Sequence, residues 1–289
     1  MKRLLSIFAA GIVGTIALPA FAQSAQDWNL LRDDHRKVVV AATNFDNGIG
    51  VAVRCIDRSL EAFISGLPEI EGDTRELRIR FPENTRDHTQ TWMVAANSAI
   101  AISSFPAGFA RDLREGGRLD IVVPGGAEGG RNLRYVLDLP ASNAAIDETL
   151  TACNRPLIDP RDAEIEALPE GGLPVNIVWV SRPRPEYPTA TNYVRGFASV
   201  MCLTNPNGSL RDCTAEAEYP RDSGFGDEAI KAARRARVGN ADPSGGPVPL
   251  TSILYRTNFV LAGYDTREER ERHRQQSERD REARQNRQE

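Results

Sequence analysis

The sequence predicts an α+β chain: a mainly antiparallel β domain, sandwich or barrel, with two short helices, and after it a small hairpin, helix and strand unit. Three observations predict it. Between Lys37 and Leu139 short apolar or alternating runs follow one another with turn residues between them. The composition then turns to Pro, Gly and acidic residues between Asn154 and Arg184. Beyond that stretch an Asn-Gly turn is followed by one amphipathic helical pattern and one alternating run. Strand signals at this density belong to sandwiches and barrels, and the change of composition marks a boundary.

The first residues, MKRLLSIFAAGIVGTIALPAFAQ, carry the charges Lys2 and Arg3, an apolar stretch from Leu4 to Leu18 and an Ala20-Phe21-Ala22 cleavage pattern. The expectation is a signal peptide over residues 1–22, cleaved after Ala22. The alternative, an uncleaved anchor, is open because Leu4 to Ala22 is uncharged and close to the shortest length that spans a bilayer. No later segment is long and apolar enough to span. A cleaved chain would reside in an oxidising compartment, here the periplasm. Losing Lys2 and Arg3 moves the formal charge from −4 to −6. That charge is mild and mixed, and the arginines do not cluster with aromatics, so nucleic acid is not expected as a partner.

Within residues 23–153 the strand runs are VVVAAT, IGVAVRC, LEAFIS, ELRIRF, TWMVAA, AIAISSF, LDIVV and RYVLDL. Pro106 to Arg114 reads as a helix with proline in its first turn. Ser142 to Cys153 reads as a second, with Ser142 as N-cap and Ile146, Thr149, Leu150 and Cys153 on one face. Gly125 to Gly130 (GGAEGG) lacks the Lys-Ser/Thr of a phosphate loop and lies between two strands, so it reads as a hairpin loop. Residues 154–176 read as a linker, too interrupted for a domain.

In CLTNPNGSLRDC, Cys202 and Cys213 sit eleven positions apart. Asn207-Gly208 is a strong signal for a two-residue type I′ turn, which places the two cysteines directly opposite each other. Counting out from that turn makes them a hydrogen-bonded pair, the wider kind, and a longer loop around Pro206 would relax this. A disulfide is the expectation; a free redox pair or a metal clip is the alternative, and His88 and His273 offer no ligand spacing. Cys55, ending an alternating strand, is then left to Cys153, closing a loop of nearly 100 residues worth about 4.7 kcal/mol in the chain-entropy treatment.

GFGDEAIKAARRARV reads as a helix with Asp227 and Glu228 at its start and Arg234, Arg235 and Arg237 at its end, which suits the macrodipole. TSILYRTNFVLAG alternates as a strand, with Ile253, Tyr255, Phe259 and Leu261 on one face. Within residues 264–289, the stretch 265–289 has eight arginines and eight acidic residues with Ala283 as its only apolar side chain, a solvated or disordered tail. With three histidines, one of them in that tail, little is left for a Ser-His-Asp or Cys-His arrangement. Asp33/Asp34 and Glu69/Glu71 read as solvated surface, and Asp46-Asn47-Gly48 as a turn without the spacing of a calcium loop. No enzyme, cofactor or metal is expected.

The stretch from Pro185 to Leu261 resembles the C-terminal domain of TonB-type energy transducers. The resemblance rests on Pro185, Tyr187, Pro188 and Ala190, a strand led by Gly196, the Asn207-Gly208 turn, Pro220, the Phe225 helix and the closing Phe259-Val260-Leu261 strand. It covers residues 177–263 or nearly so, with Pro185, Tyr187, Pro188, Gly196, Gly208 and Phe225 in structural roles. In that family the last strand is an edge onto which a segment of an outer-membrane receptor adds, so the resemblance implies partner-binding positions at Ser252, Leu254, Arg256, Asn258 and Val260. Strand addition of an extended peptide from an envelope protein is the function this implies. A cleaved signal and the lack of a long proline-rich spacer depart from the transducers, whose coupling needs an unbroken tether. Transducer activity in outer-membrane transport, or an envelope protein without a peptide ligand, are the alternatives. The strand run and the helix ending at Cys153 are similar to invasion-associated locus B type secreted proteins.

Overall fold

The computed structural model describes residues 27–81, 87–95, 99–169, 171–242 and 244–264, without the side chains of Asp87 and His88. The expected signal peptide, residues 1–22, and the charged stretch 265–289 lie outside the described residues. The strands are β1 (Asn29–Asp33), β2 (Val38–Asn44), β3 (Gly50–Ile56), β4 (Ser59–Ser65), β5 (Thr74–Arg80), β6 (Asp87–Val94) and β7 (Ala101–Ile102). Helix α1 (Pro106–Arg114), β8 (Gly117–Ala127), β9 (Arg131–Leu139), α2 (Ala144–Ala152) and α3 (Asp162–Glu166) follow. The chain closes with β10 (Ile177–Ser181), β11 (Arg195–Thr204), β12 (Leu210–Tyr219), α4 (Phe225–Arg235), β13 (Arg237–Asn240) and β14 (Ser252–Val260). This is an α+β chain in which antiparallel sheet predominates.

The first nine strands make one antiparallel sheet in the order β1-β2-β3-β4-β7-β6-β5-β8-β9. Alternation decides which residues turn inward: in β5 Arg75, Leu77 and Ile79 are buried while Glu76, Arg78 and Arg80 are exposed. α1 and α2 pack on each other, α1 against β4 and α2 against β2 and β3. One apolar cluster runs through all of them, with Trp92 edge-on to Phe109 at 5.0 Å. The Cys55–Cys153 disulfide, Cα atoms 5.6 Å apart, ties β3 to the end of α2. α2 starts at Ala144 with Asn143 in the N-cap position and no side-chain cap, which corrects the assignment of Ser142. Its inward face, Ile146, Thr149 and Leu150, is the predicted one.

β12, β11 and β14 form a second antiparallel sheet with β11 in the middle, and β10 pairs with β13 beside it. Ala198, Val200 and Cys202 of β11 face the α4 side in a cluster with Phe225, Ala229 and Ala233. Glu218 receives the first turn of α4: its carboxylate accepts from the main-chain N–H of Ser223, Gly224 and Gly226 at 2.7, 2.9 and 3.0 Å. An anion at this end meets unpaired donors and the positive pole of the helix. Arg237 does not end the helix as expected; it opens β13, and Val238 pairs with Trp179.

The other face of the three-stranded sheet is also covered. Phe197 and Ala217 pack with Met93 and Ile102 of the large sheet, and Met201 and Leu254 with Ile165 of α3. Six successive β11 residues, Phe197 to Cys202, are buried, the pattern of a strand with both faces covered. Polar contacts accompany them: Arg155 donates to Glu216 at 3.1 Å and to the Ala215 carbonyl at 3.2 Å, Arg195 meets Asp73 at 2.6 Å, and the Ser199 hydroxyl donates to the Ser104 carbonyl.

The hairpin between β11 and β12 departs from a two-residue turn. The Gly208 N–H donates to the Asn205 carbonyl, the Asn205 N–H to the Ser209 carbonyl, each at 2.8 Å, and Gly208 has φ 76°. Asn207 is not among the positive-φ residues, as a type I′ turn would require. Pro206 is the cause: its ring fixes the φ of a type I turn, and Gly208 closes a three-residue loop. The register then shifts twice along the pair, between Ser199 and Val200 and between Met201 and Leu203, with Asp212 at φ 50°. Cys202 and Cys213 still bond, their Cα atoms 4.2 Å apart, close to the narrow pair spacing.

Candidate functional site

β14 is one of the two outer strands of the three-stranded sheet, paired with β11 from Ser252↔Leu203 to Val260↔Arg195. Neighbouring residues of an antiparallel strand direct their main-chain groups to opposite sides. The Ser252 and Leu254 N–H groups point away from β11, and each has a partner on the outer side. Arg256, Asn258 and Val260 share that parity, so their main-chain groups face outward too. These are the five positions that the TonB resemblance implies, and the structure divides them in two.

The first half is occupied by the chain itself. Glu164 Oε1 accepts the Ser252 N–H at 2.8 Å, Oε2 accepts the Ser252 hydroxyl at 2.8 Å, and the Thr251 hydroxyl also donates to Oε1. Two residues along, the Gly172 carbonyl accepts the Leu254 N–H at 2.9 Å. Gly172 has φ 69°, and a Cβ there would lie 1.7 Å from the Leu254 carbonyl oxygen. Only glycine reaches this approach. Ser252 and Leu254, expected as partner-binding positions, are therefore buried, at 0% and 2% exposure. Burial pushes the Glu164 carboxyl up, but the hydrogen bonds from Thr251 and Ser252 outweigh it and leave the pKa below its ordinary value.

Among the described residues the second half is open. Asn258 is exposed, and among the described residues no hydrogen bond engages the N–H of Asn258 or of Val260. Arg256 is not the free side chain expected, since its Nε donates to Ser104 Oγ at 2.9 Å across to the large sheet. Beside Arg256 a cleft is lined by Gln90, Ser103 and Ser104 on the side of the large sheet, by Leu254 of β14, and by Ile165 and Leu168 of the segment that closes the first half.

Beneath this strand the motif residues form an aromatic anchor. Phe225 stacks on Phe259 at 4.4 Å, and the Tyr187 ring meets both edge-on, at 5.6 and 6.4 Å. A Cβ on Gly196 would lie 2.2 Å from the Phe225 ring and 2.4 Å from the Tyr219 carbonyl, and one on Gly208 would lie 2.0 Å from the Val238 carbonyl. Pro188 lies against Gly224, at the start of α4, and Pro185 is half-buried. Burial raises the pKa of Tyr187. Among the described residues no His, Cys, Asp and Glu side chains gather into a group that could hold a metal ion, and no helix is long and apolar enough to cross a membrane.

Glu164 and Gly172, which close the first half, had no signal in the sequence beyond a helix-length gap in a Pro/Gly-rich stretch. One contributes a single carboxylate and the other a main-chain carbonyl, and neither leaves a periodic pattern.

No protein-family model and no curated protein matches the chain. Among solved structures it is similar to the C-terminal domain of TonB from Pseudomonas aeruginosa, with 18% identity and a TM-score of 0.28 over 32% of this chain and 93% of that one.

Proposed function

We propose that this is a periplasmic, non-enzymatic binding protein that takes up an extended peptide of an envelope partner, such as an outer-membrane receptor, along the open half of β14. The observation that carries the reading is the pair of outward main-chain positions, Asn258 and Val260, on a sheet edge that no described residue covers there and that is packed firmly on its other side. Main-chain groups supply the affinity in strand addition, and the cleft beside Arg256 supplies contacts for alternate side chains. The anchor of Tyr187, Phe225 and Phe259 holds the strand rigid, so little order has to be gained on binding.

The test compares two substitutions at one position in the full chain. Asn258→Ala keeps the N–H and captures the envelope partner as the wild type does. Asn258→Pro removes the donor and fixes φ, and loses capture while the melting temperature stays near that of the wild type. Equal capture by a folded Asn258→Pro protein excludes this edge as the site.

A further inference from the structure

The closed half of β14 holds an occupant that shows what this part of the edge recognises. A carboxylate takes three donors, the Thr251 hydroxyl and the Ser252 N–H and hydroxyl. The next residue, Ile165, is buried against Met201 and Leu254, with Leu168 beside it. The Gly172 carbonyl then pairs with the Leu254 N–H as a neighbouring strand would. Glu164 itself is solvent-exposed, so its carboxylate can leave on its own, whereas replacing the segment also takes Ile165 out of its contacts with Met201 and Leu254.

We infer that the first half of the β14 edge is a docking site for an acidic peptide, reading a carboxylate at Thr251 and Ser252 and an apolar residue at Met201 and Leu254, and that the Glu164 segment is its built-in competitor. This rests on β14 being the binding edge. A partner that takes the whole strand replaces the segment with an acidic residue of its own and re-forms the same hydrogen bonds, so the exchange neither gains nor loses main-chain pairing. What opposes it is that the segment is already held in place, Asp162 by Arg111 and Ile165 by Met201 and Leu254, and that as part of the same chain it acts at an effective concentration on the order of millimolar. Short peptides that reach only the first half are thereby excluded, and those that continue to Asn258 and Val260 have the extra contacts to win.

The full chain and a Glu164→Ala/Gly172→Val variant are compared with a fluorescent synthetic peptide carrying residues 161–173, RDAEIEALPEGGL, and with the same peptide bearing Glu164→Ala. Exchange of the Ser252 and Leu254 amides should be about tenfold faster or more in the variant, since their acceptors are displaced. The variant should bind the first peptide at least about tenfold more tightly than the wild type does, and the alanine peptide about tenfold more weakly, the range of a charge-assisted hydrogen bond. Wild-type protection of both amides in the variant, or equal binding of the two peptides by a folded variant, overturns the inference. If the double variant does not fold, Glu164→Ala alone should give the same ranking, and no change in exchange at Ser252 counts against the inference equally. None of these readouts involves the envelope partner, so they fail separately from the Asn258→Pro test.

Discussion

Cys202 faces Cys213 across the β11–β12 hairpin with Cα atoms 4.2 Å apart, beside a bulge at Asp212 that breaks the ladder between Met201 and Leu203. The bond therefore closes the hairpin at the point where main-chain pairing is interrupted. All four cysteines are paired, and thiol titration of denatured, non-reduced protein should find none free.

Replacing both residues in Cys202→Ala/Cys213→Ala should cost about 2.5 to 3 kcal/mol in the chain-entropy treatment. In a chain of this size that is a fall in melting temperature of about 5 to 12 °C, read by differential scanning calorimetry. A redox or metal role predicts the opposite outcome, binding lost with the melting temperature kept.

Arg155→Ala should leave the Glu216 carboxylate, 3% exposed, without its cation at the contact between the two sheets. Breaking a buried pair costs about 3 kcal/mol at the lower end of the usual range, fitting here because Arg155 is partly exposed. Urea unfolding of Arg155→Ala, Glu216→Gln and the double variant measures it. The double variant should recover part of the loss; full additivity would mean that the pair is not coupled.

Gly196→Ala tests the packing under the edge. A methyl there meets the Phe225 ring at 2.2 Å and a main-chain carbonyl at 2.4 Å, and overpacking of this kind costs about 1 to 3 kcal/mol. Gly196 is not among the positive-φ glycines, so the cost reports packing alone.

Acid should act on the 159–164 region in two steps. Glu164 has a depressed pKa, so the stability it contributes is present above its ordinary 4.5 and is lost as pH falls through the lower folded value. Asp159 is brought down to about 2, first by the Arg161 side chain, against burial, so its contribution is lost between 3.8 and 2. Protection of the Ser252 amide, taken relative to the intrinsic exchange rate at each pH, should therefore fall as Glu164 takes up its proton, and the melting temperature should report the loss at Asp159 as pH approaches about 2. Glu164→Gln should remove the first step and Asp159→Asn the second.

Much of this fold is legible because alternation reports burial. The runs around Val51, Leu77 and Ile121 became strands where they were expected, and Ile146 and Leu150 mark the inward face of α2. β1 was not legible: its Leu30 and Leu31 are 45% and 62% exposed on an edge strand, so no alternation marks it. The run Phe197 to Cys202 announced a strand, and its lack of any polar alternation is the trace of a second covering surface whose identity only the packing of Met93 and Ile102 reveals. At the candidate site the edge position of β14 was implied by resemblance, but its closure by Glu164 and Gly172 was not, because main-chain recognition leaves almost no mark on side-chain pattern.

Hydrogen exchange along β14, with the captured envelope partner present and absent, tests strand addition at this edge most directly. The account predicts that in the free protein the Leu254 amide is already slow while the Asn258 and Val260 amides exchange rapidly, and that the partner slows the latter two by about tenfold or more as their N–H groups enter a new ladder. Unchanged exchange at Asn258 and Val260 with the partner bound at saturation would contradict it.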